Sequence, residues 1–157
     1  MEHGYSSREA RSASGLSPRM LHAIDHRGLV GPSVQRACGT GSARRWNLAD
    51  LVALRIVKVA RDIGLPFNVL RGVQAAIAGA DLEDLRAARL VVTLSSERDG
   101  REASKKLISR VQLLEPDAEE SRDAGTVYTV LALAPVVAHL EGMLRLVHTG
   151  EDRAGVA

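Results

Sequence analysis

Residues 5–28, YSSREARSASGLSPRMLHAIDHRG, hold two helix starts and two helix stops in quick succession. Ser6 and Glu9 have the S-x-x-E spacing of a capping box, in which the hydroxyl and the carboxylate each satisfy an orphan backbone N–H. Ser14-Gly15 ends that helix early, because glycine tolerates the left-handed conformation of a helix C′ position. Ser17-Pro18 opens a second helix with an N-cap oxygen and a proline at N1, where its missing N–H is no loss. Met20, Leu21 and Ile24 give it an apolar side, and Gly28 stops it. Two short helices across a tight glycine turn have the sequence form of a helix-turn-helix, whose second helix usually enters the DNA major groove.

Residues 29–46 contain Gly31, Pro32, Gly39 and Gly41 among polar residues, which predicts a hairpin or loop, a wing, rather than a helix. Asn47 then offers an N-cap with Asp50 in the first turn, where the helix dipole favours an acid. Leu51, Leu54, Ile56, Val57, Ala60 and Ile63 follow helical spacing as far as Gly64. Pro66 restarts the chain into a fourth helix, with Phe67, Leu70, Val73 and Ile77 on one face up to Gly79. Arg44, Arg45 and Trp46 fall on the returning edge of the wing, where two guanidiniums can meet phosphates or the minor groove.

The formal charge of +2 hides an asymmetry. Residues 1–76 carry 11 Lys and Arg against 5 Asp and Glu, whereas the remainder carries 10 against 14. The basic part is the polyanion-binding candidate. Of the 21 cations 18 are arginine, the residue suited to bidentate phosphate and base recognition.

As an ordered set, YSSREA, SGLSPRMLHAIDHRGLV, ARRWNLADLVALRIV and DIGLPFNVLRGV resemble the DNA-binding domain of the MerR family of bacterial transcription regulators. The resemblance covers residues 5 to about 77. It implies a winged helix-turn-helix that binds a palindromic operator as a homodimer, with the second helix in the major groove and the wing on the flanking backbone. The DNA-binding residues it implies are Ser17, Arg19 and His22 on the second helix and Arg44, Arg45 and Trp46 on the wing. His22-Ala23-Ile24 departs from the family's arginine followed by two aromatics, and the wing between Pro32 and Arg44 is longer than usual.

The C-terminal half has no heptad run of the kind that dimerises many such regulators. Leu90–Leu94 and Val127–Leu133 read as buried strands. The segment opening at Asp99 and carrying Leu107, Ile108, Val111 and Leu114 fits helix or strand; a helix ending before Pro116 is the expectation. Residues 115–125 read as an acidic solvated loop, and Pro135 starts a final helix with a stripe of Val136, Val137, Leu140, Met143, Leu144 and Val147. The expected fold class is mostly α with small β: a winged helix-turn-helix over 1–79, a small α+β dimerisation, effector or partner domain over 80–148, and a disordered tail over 149–157.

The single cysteine, Cys38, excludes an intramolecular disulfide and is expected to be an idle exposed thiol. His22 and His26 have the i, i+4 spacing of zinc ligands but lack a third partner, so no metal and no cofactor is expected. Asp81, Glu83 and Asp84 read as a helix start, and His139 and His148 as solvated. Lys58, Arg55 and Arg71 are expected on solvated helix faces. With no G-x-G-x-x-G, P-loop, H-E-x-x-H or G-x-S-x-G motif, no enzyme activity is expected. The sequence has neither a secretory signal nor a membrane span, and the cytoplasm is the expected compartment. The resulting expectation is a homodimeric, sequence-specific transcription regulator on double-stranded DNA, with RNA polymerase or another protein as a further partner. The alternative is an antitoxin-like or adaptor protein whose C-terminal domain holds a protein partner.

Overall fold

A computed structural model describes residues 4–36, 38, 43–98, 105–115, 117–118 and 127–154. The wing positions 39–42, the start of the segment at 99–104 and much of the acidic stretch 115–125 lie outside the described residues.

The two short helices form as their caps dictate. After a two-residue strand β1 (Tyr5–Ser6), α1 runs Ser7–Ser14. The Ser6 amide donates to Glu9 at 2.6 Å, and the Glu9 amide donates back to Ser6 Oγ at 3.3 Å. Gly15, at φ 74°, closes the helix in the left-handed region that favours glycine. Arg55 donates to the carbonyl of Ser14 at 3.1 Å, so this arginine finishes the end of α1 instead of serving as a solvated face. Helix α2 spans Pro18–His26, with the Met20 amide donating to Ser17 Oγ at 3.1 Å.

The chain returns as β2 (Arg45–Trp46), which pairs antiparallel with β1 in the register Tyr5 to Trp46 and Ser6 to Arg45. Gln35 bridges to Arg45 through reciprocal backbone bonds of 3.1 and 2.9 Å. These pairings form the stem of the connection between α2 and α3, the stretch expected to be a wing and called so below.

Helix α3 (Leu48–Asp62) is the centre of the molecule. Its capping box is Asn47 with Asp50. Leu51, Val52, Ala53, Leu54, Ile56, Val57 and Ala60 are all buried, more than one helix face can supply. A helix buried on several sides needs neighbours on several sides, and α1 lies on one with α4 (Val73–Ile77) and the last helix, α6 (Ala134–Ala154), on others. The expected fourth helix over 66–79 is instead a 3-10 turn, Phe67–Leu70, followed by the short α4. Gly72 separates them at φ 93°, outside the helical region. Phe67 lies between two guanidiniums, Arg61 at 4.5 Å and Arg27 at 5.0 Å from the ring centre, a cation–π arrangement that ties the end of α2 to the α3 corner.

Past α5 (Leu82–Ala87), capped by Asp81 with Asp84, comes a three-stranded antiparallel sheet. Its strands are β3 (Arg89–Arg98), β4 (Lys105–Leu114) and β5 (Val127–Ala132), in the order β4-β3-β5. The helix expected before Pro116 is therefore a strand. Pairing with β3 settles the ambiguity: Val111 and Leu113 pack against the core while Arg110 and Gln112 are exposed, a period of two. Helix α6 runs Ala134–Ala154, past the point where a disordered tail was expected to begin. Val136, Val137, Leu140 and Leu144 bury its stripe against the same core. One buried cluster therefore includes residues from both sides of position 79, from Ala10 to Leu144. Among the described residues the fold is mostly helical with two small antiparallel sheets.

Gly15→Ala should destabilise the fold by about 1 kcal/mol, because it forces a Cβ into a left-handed conformation beside Arg55. A urea titration followed by circular dichroism measures this; an unchanged midpoint would contradict the assigned C-cap.

Candidate nucleic-acid interface

The sequence-predicted site residues do not all lie on one surface. Ser17, Arg19 and His22 are exposed on or at the start of α2. Ser17 performs the cap, so its hydroxyl is already engaged with Met20. The His22 ring stacks on His26, with centroids 5.9 Å apart and planes 13° apart, which places both imidazoles on one side of the helix. No group of three or more potential metal ligands is found among the described residues.

On the wing the Arg-Arg-Trp element is divided. Arg45 is exposed, with one guanidinium nitrogen 3.4 Å from the Gly4 carbonyl. Arg44 is half-buried and pairs through Nε with Asp25 Oδ2 of α2 at 2.9 Å. Trp46 is fully buried in the core, its indole N–H 3.5 Å from Ser7 Oγ. Its place in the DNA-contacting set is thus corrected: strand alternation turns Arg45 outward and Trp46 inward, and an indole closed off from solvent cannot reach a ligand.

Sequence reasoning also missed what holds the wing in place. Asp50 is only 1% exposed. It accepts from the Ser33 amide at 2.8 Å and hydroxyl at 2.6 Å, from the Asn47 amide at 3.0 Å and from Gln74 Nε2 at 2.8 Å. The Gln74 amide also pairs with the backbone of Gly31, accepting from its N–H at 3.2 Å and donating to its carbonyl at 2.9 Å. The root of the wing is thereby fastened to both α3 and α4. The Asn47/Asp50 cap was legible locally; Gln74, 43 residues from Gly31, had no local signal.

Between α2, the wing root and α4 lies a cleft of about 260 Å³ lined by Asp25, Gly28, Gly31, Pro32, Arg36, Arg44 and Gln74. Arg36 is exposed at its edge and adds a third wing arginine. Three further arginines of the basic half are less available: Arg55 is committed to Ser14, and Arg27 and Arg61 to Phe67. Lys58 pairs with Asp62 one turn along α3 at 2.5 Å. Cys38 is exposed, and His139 on α6 is solvent-accessible at its edge. Burial of its ring, then the nearby Arg55 guanidinium, still press the His139 pKa below its ordinary value.

No protein-family model matches the chain. Over 68 residues it is 34% identical to proteins named uncharacterized HTH-type transcriptional regulators from Mycobacterium bovis and Mycobacterium tuberculosis. The match takes in 43% of this chain and 30% of each relative, so the matched stretch spans under a third of the length of those curated relatives. Among the described residues no helix is long and apolar enough to cross a membrane.

Asp50→Ala should cost on the order of 2 kcal/mol, since it takes the acceptor from part-buried donors of three segments. Amide exchange at Ser33 and Gln35 should rise with it. Loss of stability with no change in exchange at the wing root would separate Asp50 from the wing.

Proposed function

We propose that the chain is a DNA-binding transcription regulator whose α2 reads base edges in the major groove while Arg44 and Arg45 of the wing hold the flanking phosphates. The observation that carries this reading is the coupling of α2 to the wing: the exposed Arg19 and His22 lie on the same helix as Asp25, which grips Arg44. Exposed cations on a short helix and an adjacent wing suit a polyanion with a groove, because a helix fits the major groove and guanidiniums pair bidentately with phosphate. The relatives named as HTH-type transcriptional regulators support the same class.

One short helix contacts only a few base pairs, so a homodimer on a two-fold operator completes the proposal, multiplying the specificity of each half-site. Ser17, Arg19, His22, Arg44 and Arg45 are its DNA-facing residues. Trp46 supports the wing from below. The winged MerR-like architecture over residues 1–79, with a separate role for 80–148, belongs to this proposal as well.

The test is fluorescence anisotropy on duplex DNA across a salt series. For the parent chain, log affinity should fall linearly with log salt. The Arg44→Ala, Arg45→Ala double variant should lower the slope by about 2 per protomer, roughly 1 for each lost phosphate contact. Trp46→Ala should instead destabilise the fold by about 3–5 kcal/mol and leave the slope of the folded fraction unchanged. No binding at low salt, or a slope indifferent to both arginines, would refute the reading.

A further inference from the structure

Asp25 is an acid on the helix proposed to enter the major groove, between two phosphate backbones. A carboxylate there repels the backbone and lowers affinity, unless it supports something else. Three residues on from His22, Asp25 borders the Arg19–His22–His26 side of the helix, and its carboxylate is engaged by the wing. There Oδ2 meets Arg44 Nε at 2.9 Å, with side chains only 21% and 30% exposed.

The mode of grip matters. A guanidinium gripped from its Nε edge still has N–H donors on its Nη atoms for a second partner. Asp25 can therefore fix the direction of Arg44 and leave donors to meet a phosphate. Four other ties hold the wing: β1 to β2, Gln35 to Arg45, Gln74 to Gly31 and Ser33 to Asp50. They fasten it to the N-terminal strand, to itself, to α4 and to α3, and none of these four reaches α2. The Asp25–Arg44 pair does, along one wall of the cleft.

We propose that Asp25 is a positioning residue: by holding Arg44 side-on it locks the wing to α2 at one spacing, so that base reading and phosphate grip occur in a single register. The inference rests on the DNA-binding reading above. It makes Asp25 a determinant of specificity instead of affinity. Specific binding needs both contacts at a fixed separation, whereas non-specific binding needs only cations near phosphates.

The test uses the full chain, an operator selected by the parent from a random duplex pool, and an unrelated duplex. Asp25→Asn should lower operator affinity about tenfold. Affinity for the unrelated duplex should be unchanged or higher, because a negative charge has been removed. In the free protein, amide exchange at Gln35 and Arg45 should accelerate while α3 stays protected. Asp25→Glu should restore part of the operator-to-unrelated ratio. In an Arg44→Ala background, which has no guanidinium to grip, Asp25→Asn should change the ratio little further.

Equal losses on both duplexes, or an unchanged ratio, would overturn the positioning role while leaving the DNA-binding reading intact. Unchanged exchange at the wing amides would overturn it without reference to DNA. A parent chain that binds no duplex at low salt would overturn both.

Discussion

A single buried carboxylate holds together the parts that make a surface here. Asp50 lies inside the molecule, where an ionised group is tolerated only with its oxygens fully hydrogen-bonded. Its donors come from the wing root, the start of α3 and α4. Because they belong to three segments, the bonding requirement becomes a geometric one: the wing must leave the core at Ser33, beside α4 and at the N-terminus of α3. The presentation of Arg44 and Arg45 depends on that exit point.

From this anchor the wing is built in layers. Trp46 fills the core beneath it, β1 pairs along one edge, and Gln35 closes the hairpin stem onto Arg45. The alternation of a strand then sorts adjacent residues by role, Trp46 inward and Arg45 outward. Arg44 adds the lateral link to α2. The cations of the basic half are divided as well. Arg55 completes the end of α1, and Arg27 and Arg61 enclose Phe67, so net charge overstates the number of guanidiniums free to meet an anion. Those free of such duties include Arg19, on the exposed surface of α2, and Arg36, on the wing.

What could be read from the sequence was what short-range chemistry decides. Ser6/Glu9, Ser17-Pro18 and Asn47/Asp50 announce helix starts because a cap is satisfied within three residues, and Gly15 and Gly28 announce stops because both take positive φ. The unreadable parts depend on partners far along the chain. Residues 105–114 carry apolar spacing that suits a helix, but the ladder to β3 imposes a period of two. The apolar face over 66–79 suits one helix, yet the backbone breaks at Gly72. Trp46 next to two arginines looks like part of a binding element until packing places it in the core.

By itself, then, the sequence determined two short capped helices, a non-helical connection between α2 and α3, the long apolar α3 and a basic N-terminal half, because each of these rests on contacts within a few residues or on composition. Tertiary structure decided which of the adjacent Arg44, Arg45 and Trp46 face outward, that Asp50 and Gln74 tether the wing, and that Asp25 couples it to α2. It also decided that α6 and the β4-β3-β5 sheet share a core with the N-terminal helices instead of standing apart. The physical reason is common to all of these: a buried polar group or an apolar face must find a partner, and the chain supplies that partner from tens of residues away, where no local pattern can announce it.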